Sequence, residues 1–140
     1  MSNAEFRRGF SAILQRAGDT AGDVVRATAI KLQNGMIEKS PVDTGHFKGN
    51  WQCGIGGINT AGSDRKDTTP IGKYDSVGAS LATQTVLKGW KPGQTINLTN
   101  SLPYSSRLEY GWSKQAPAGF VRLTVQEHGD YLKKVVAEMK

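Results

Sequence analysis

Ser40-Pro41-Val42-Asp43-Thr44-Gly45-His46-Phe47-Lys48-Gly49-Asn50-Trp51-Gln52-Cys53-Gly54-Ile55 is the stretch at which the chain changes its hydrophobic period. Upstream, Phe6, Phe10, Ile13 and Ala17 recur at steps of three and four, and Ala21, Val25, Ala29, Leu32 and Met36 continue the stripe. That spacing predicts helix over residues 3–38, with one apolar face turned to a core. Gly18 and Gly22 weaken its middle, each by roughly 1 kcal/mol relative to alanine. Asp19 or Thr20 offers a cap for a fresh start, so one long helix or two collinear ones satisfy the pattern. Pro41 ends it, because the residue before a proline is pushed out of the helical region. Downstream, Phe47, Gly49, Trp51, Cys53 and Ile55 alternate with Lys48, Asn50, Gln52 and Gly54. A period of two predicts a strand with both large aromatics on one face.

Residues 59–76 are polar and glycine-bearing, with Asp64-Arg65-Lys66-Asp67 at the centre, and read as an exposed loop. A connection of that length in a compact domain is usually functional or disordered. Residues 77–88 read as a short helix, with Asp75 or Ser76 as its cap and Gly89 as its stop, although the threonines favour strand. Lys91-Pro92-Gly93-Gln94 predicts a type II turn from its Pro-Gly centre. Thr95-Ile96-Asn97-Leu98-Thr99 alternates again and predicts a strand.

In Leu102-Pro103-Tyr104-Ser105-Ser106-Arg107-Leu108-Glu109-Tyr110-Gly111-Trp112-Ser113, Pro103 suits a first helical turn and Gly111 the residue past the last one. The segment predicts a two-turn helix, Pro103 to Tyr110, with Tyr104 and Leu108 one turn apart on one face. Val121, Val125, His128, Leu132, Val135 and Met139 predict an amphipathic C-terminal helix of about five turns, weakly interrupted at Gly129. Order and type together predict an α+β fold. A long N-terminal helix and a C-terminal helix pack on a small antiparallel sheet, with the long exposed loop, in a single domain over residues 1–140.

The net charge is +6, from 18 basic and 12 acidic residues, which permits nucleic acid or an acidic surface as a partner. The basic residues are spread along the chain without a block of five or six, so a solvated surface explains them as well. No run approaches 18 apolar residues, and no membrane-spanning helix or signal peptide is expected. The single cysteine, Cys53, cannot form an intrachain disulfide, which fits synthesis in a reducing cytosol.

Patterns with catalytic associations fail on context. Asp43-Thr44-Gly45 matches the aspartic-protease triplet, in which two such aspartates share a proton. Here no apolar strand precedes it and His46 follows it, so a turn is expected, with the Asp43 side chain accepting from nearby N–H groups and Gly45 at positive φ. His46, His128 and Cys53 lack the number and spacing of a zinc site. Cys53 reads as a small buried hydrophobe. Gly54-Ile55-Gly56-Gly57 and Gly72-Lys73-Tyr74 fall short of phosphate-binding loops. Glu109 with Arg107 suggests an ion pair, or a carboxylate steadying the Gly111 turn, more than an acid–base couple. Tyr104, Tyr110 and Trp112 suit core packing or a protein interface, where tyrosine, tryptophan and arginine dominate. No catalytic, metal-ligating or cofactor-binding residue is expected. The candidate contact residues are Asp64, Arg65, Lys66 and Tyr74 in the loop, then Arg107, Trp112 and Lys114 beside the Tyr110–Ala118 turn.

Pro41-Val42-Asp43-Thr44-Gly45, followed in order by Pro103-Tyr104, Glu109-Tyr110-Gly111 and Pro117, resembles the two signatures of the tail-completion proteins of long-tailed bacteriophages, also called head–tail joining or neck proteins. In that family a long helix ends in the first turn and leads into a strand. The second element feeds a Pro-containing loop and a C-terminal helix. The resemblance implies a non-enzymatic virion protein made in the host cytoplasm and placed at the neck. It implies a ring of identical copies, expected to be a hexamer, that ends the tail tube and docks it to the head connector. DNA passing through the lumen would touch it without sequence preference. A small basic nucleic-acid-binding module is the alternative, and it would cluster Arg7, Arg8, Lys133 and Lys134 on one face.

Overall fold

The computed structural model describes residues 19–111, 113–116 and 118–138. The helical pattern before Asp19 lies outside those residues, as do Arg7, Arg8, Trp112, Pro117 and Met139. Helix α1 spans Asp19–Lys39. It buries Ala21, Val24, Thr28, Ala29, Gln33, Met36 and Ile37, steps of three and four that face the rest of the chain. Its end is closed by Ser40, whose N–H donates to Ile37 O (3.1 Å) and whose hydroxyl donates to Met36 O (2.6 Å). Pro41 then prevents continuation.

The fold is α+β. Strands β1 (Gln52–Ile55) and β2 (Ile96–Thr99) form a two-stranded antiparallel sheet. Gln52 stands opposite Thr99, Cys53 opposite Leu98, and Ile55 opposite Ile96. Helix α2 (Ala79–Leu87) packs against β1 and α1. Helices α3 (Ser105–Glu109), α4 (Val121–Gln126) and α5 (His128–Glu138) follow, with α5 lying along α1. The main core joins Met36, Ile37, Phe47, Trp51, Ala79, Ala116 and Phe120. A second cluster joins Ala29, Cys53, Leu87 and Trp90, so Cys53 is the buried hydrophobe expected of it, and burial pushes its thiol pKa up. The Lys91–Gln94 turn is type II in form, with Gln94 N–H donating to Lys91 O (3.1 Å) and Gly93 at φ +95°.

Several boundaries differ from expectation for local reasons. The strand read over residues 47–55 shrinks to Gln52–Ile55, because Lys48–Asn50 form a 3-10 turn. Gly49 N–H donates to Gly45 O (2.9 Å) and Asn50 N–H to Phe47 O (3.0 Å), bonds that a strand would have to give up. Phe47 and Trp51 still share a face, edge to face at 5.9 Å, but through this turn rather than through strand alternation. Helix α2 has Gly78 at its N-cap without a side-chain bond; Asp75 instead accepts from Val77 N–H in the preceding turn (3.0 Å).

Pro103 and Tyr104 precede α3 in a turn closed by Ser105 N–H on Leu102 O (3.0 Å), so the helix is shorter than Pro103–Tyr110. The C-terminal helix breaks at Glu127, while Gly129 lies buried within α5. Thr124 bonds back to Phe120 O (2.7 Å), a habit that bends helices. Lys39 Nζ gathers Thr124 Oγ1, Glu127 Oε2 and Tyr131 OH at 3.0–3.2 Å around the bend. Consequently Thr124 is buried and Val125, read as part of the apolar stripe, is exposed.

The stretch 59–76 has neither helix nor strand, yet it is fastened at many points. Lys48 is fully buried and donates to Thr69 O and Pro70 O, each at 3.0 Å. Arg65 donates to Gly49 O (3.2 Å) and Trp51 O (3.0 Å). Asn50 Oδ1 accepts from Ser63 N–H (3.1 Å), and Gly72 N–H donates to Glu38 O (2.8 Å). Phe120 is 2% exposed and touches both Phe47 and Trp51, with ring centroids 5.2 and 5.9 Å away. Truncating Phe120→Ala is expected to lower unfolding free energy by about 3–5 kcal/mol, read as a shifted urea midpoint with an unchanged slope.

Candidate interaction cleft

The turn after α1 is shaped by Gly45, whose φ of +86° is reached without strain only by glycine. A Cβ there would sit 2.8 Å from Asp67 O, so the loop passes directly behind the turn. Gly45 O accepts from both Gly49 N–H (2.9 Å) and Asp67 N–H (3.0 Å). The side-chain bond in this turn comes from Thr44, whose hydroxyl accepts from His46 N–H (3.3 Å), in place of the bond expected from Asp43. Asp43 is exposed and enters no ion pair among the described residues.

The second motif arrives from the other side. Tyr104 lies with its ring centroid 6.1 Å from that of Phe47, and Leu108 follows one turn later. Gln115 closes the gap: its Oε1 accepts from Val42 N–H (2.9 Å) and its Nε2 donates to Val42 O (2.7 Å). Together Pro41, Val42, Asp43, Thr44, Gly45, Phe47, Tyr104, Leu108, Ser113 and Gln115 line a cleft of about 280 Å³. Its floor is aromatic and aliphatic, and its rim holds one carboxylate, hydroxyls and an amide. Among the described residues that line it there is no histidine, thiol or second carboxylate.

Glu109 sets the geometry beneath. It is the carboxylate that receives Phe120 N–H and Val121 N–H at 2.8 Å and Arg122 N–H at 3.0 Å, the orphan donors at the start of α4. Its ion-pair partner is Arg122 (2.9 Å), thirteen residues on, in place of Arg107. The turn it steadies is the one at Gly119, φ +86°, where a Cβ would lie 2.9 Å from its carboxylate. Gly111 does have positive φ (+88°), as read. Arg122 also lies over the Tyr110 ring at 4.8 Å, leaving Tyr110 74% exposed.

Of the remaining candidate contact residues, Asp64, Lys66, Arg107 and Lys114 are exposed. Arg65 is committed to backbone carbonyls, and Tyr74 is half-buried against the main core, its hydroxyl accepting from Asn34 Nδ2 at 3.4 Å. Trp112 and Pro117 lie outside the described residues. Gln115 and Arg122 were not singled out by sequence; each acts across a turn whose geometry no local pattern announces. Among the described residues no three metal-ligating side chains gather, and no helix is long and apolar enough to cross a membrane. Comparison of the chain with known protein families, with curated proteins and with solved structures finds no match.

Burial would raise the Glu109 pKa, but three backbone N–H groups and Arg122 hold it below the usual carboxylate range. Asp67 is likewise held low against its burial, by the Thr69 hydroxyl, by Asp75 and Thr69 N–H groups and by Lys48. A carboxylate whose folded pKa is depressed contributes stability that is present above its unfolded pKa, about 4, and is lost as pH falls through the folded value. Urea midpoints are therefore expected to hold from pH 7 to about 5 and to fall below about 4. Glu109→Gln should cost about 1–2 kcal/mol at pH 7 and make the acid decline shallower.

Proposed function

We propose that this chain is a structural protein of a tailed-bacteriophage virion. In this reading identical copies form a ring, expected to be hexameric, at the head-proximal end of the tail tube. The ring completes the tail and joins it to the head connector. It acts by shape and adhesion, without a catalytic step or a cofactor. Its neighbours are other copies of itself, the tube protein and the connector, with DNA passing through the lumen in sequence-independent contact.

The observation that carries the reading is the cleft. Pro41–Gly45 and the Tyr104–Leu108 turn, the two segments behind the family resemblance, meet on one surface although some sixty residues separate them in the chain. Exposed apolar side chains elsewhere support a surface made for contacts: Tyr110, Val77 (73% exposed) and Leu81 (46% exposed). The cleft of one copy and any surface that fills it would be different patches of the same chain. Such contacts are heterologous, and they close into a ring when the rotation permits.

Mass photometry of the purified chain, alone and with tube protein, is expected to show one discrete multimer. A monomer that shifts duplex DNA in a steeply salt-sensitive manner would replace the proposal with the nucleic-acid module. Electron micrographs of particles assembled without the protein are expected to show over-long tails or unattached heads. Normal virions would exclude the neck role.

A further inference from the structure

We infer that the cleft receives an extended peptide strand from a neighbouring protein chain. The strand pairs with the backbone of Val42 in place of the Gln115 carboxamide, sets an aliphatic side chain against Phe47, Tyr104 and Leu108, and brings a lysine or arginine to Asp43. The inference deepens the proposed function and rests on its reading of the cleft as a contact surface.

The carboxamide of Gln115 accepts from Val42 N–H at 2.9 Å and donates to Val42 O at 2.7 Å. These are the two bonds that a residue exchanges with its opposite number in an antiparallel strand pair. A side chain is thus standing where the N–H and C=O of one strand residue would stand. Both bonds are solvent-exposed, and Gln115 itself is exposed, within the turn that Ala116 N–H closes on Ser113 O (3.2 Å). Freezing a long amide side chain carries an entropic penalty that an incoming backbone would relieve. Exchanging one pair of exposed bonds for another is close to neutral, so the amide covers the Val42 backbone without blocking it.

What decides the occupant lies next to Val42. Strand addition takes affinity from main-chain bonds and specificity from pockets for alternate side chains. Phe47, Tyr104 and Leu108 line the apolar part of the cleft. Asp43 stands exposed at the rim, outside every ion pair among the described residues, in a chain of net charge +6. A basic side chain beside an aliphatic one complements that arrangement. An acidic strand or a polynucleotide does not.

The test uses a capped eight-residue peptide of alternating valine and threonine carrying one lysine, titrated into the full ¹⁵N-labelled chain. Two control peptides carry glutamate for the lysine, or N-methyl groups on alternate amides. The first peptide is expected to shift the Val42 amide resonance. The N-methylated peptide should bind about tenfold more weakly, since one or two net hydrogen bonds are lost. The glutamate peptide should also bind more weakly, and Asp43→Asn should remove that difference. Gln115→Ala should bind the first peptide several-fold more tightly, because a competitor has gone; a merely structural glutamine would give weaker binding.

Equal binding of the N-methylated peptide, or no shift at millimolar peptide with both wild type and Gln115→Ala, overturns the inference. The peptide controls decide the matter in the wild-type chain even if the variant folds poorly. Rings that form without strand binding would remove this inference and leave the neck role standing. Strand binding by a chain that never forms rings would do the reverse.

Discussion

Phe47, Trp51 and Phe120 form a closed triangle of rings, with centroids 5.2–5.9 Å apart and each side chain at most 5% exposed. Two of its members follow the turn after α1, and the third opens α4, some seventy residues later in the chain. Aromatic contacts of this kind carry energy beyond the area they bury, and here they close a long loop. Trp51 is further fixed by its indole N–H on Ser40 Oγ (2.9 Å), which ties the triangle to the end of α1. Tyr104 leans on Phe47 from outside the triangle. The cleft exists because its floor is one edge of this packing, shared by both segments.

The polar contacts then decide how rigid that arrangement is. Lys48 has its whole side chain inside the protein, and burial pulls its pKa down while Asp67 and Glu38 oppose the shift. Such a group persists in the interior only where acceptors meet its donors, and Thr69 O and Pro70 O each accept one of its N–H bonds. Asp67, Arg65 and Asn50 complete the fastening, so the long connection backs the Gly45 turn as a fixed wall. Glu109 does the same for the opposite side by satisfying the first N–H groups of α4. Both halves of the cleft are therefore preorganised, and a partner that enters would spend little on ordering them.

Rigid backing, an apolar floor and a carboxylate outside every ion pair among the described residues are what the proposed contact role asks of the cleft. The buried ionisable groups, Lys48 and Asp67, are consumed in holding the loop. The thiol of Cys53 is sealed between α2 and the sheet. These placements keep Cys53 in a packing environment separate from that of Lys48 and Asp67. They agree with a functional reading that asks for shape and persistence in an assembled particle.

Much of the fold was legible because periodicity follows directly from backbone geometry. The steps of α1, the alternation of Ile96–Thr99, the Pro-Gly turn at Lys91–Gln94 and the stops at Pro41 and Gly111 each obey a local rule. The family-like turns were legible for the same reason, since Pro41, Gly45 and Gly111 declare their φ requirements. What local rules could not decide was which partner each polar side chain would find. Gly49 looked like a strand residue, but the close approach of Arg65 O, 2.6 Å from where a Cβ would be, makes it the floor of a turn. Glu109 chose Arg122 and the N–H groups after Gly119, and Gln115 chose Val42, because folding brought those groups within 3 Å. Sequence alone determined the fold class and the order of the main elements, which depend on neighbours a few residues away, though not the 3-10 turn at Lys48–Asn50 or the break at Glu127. The cleft, its guarding amide and its fastened wall depend on contacts between residues 13 to 73 positions apart, and only the tertiary structure could assign them.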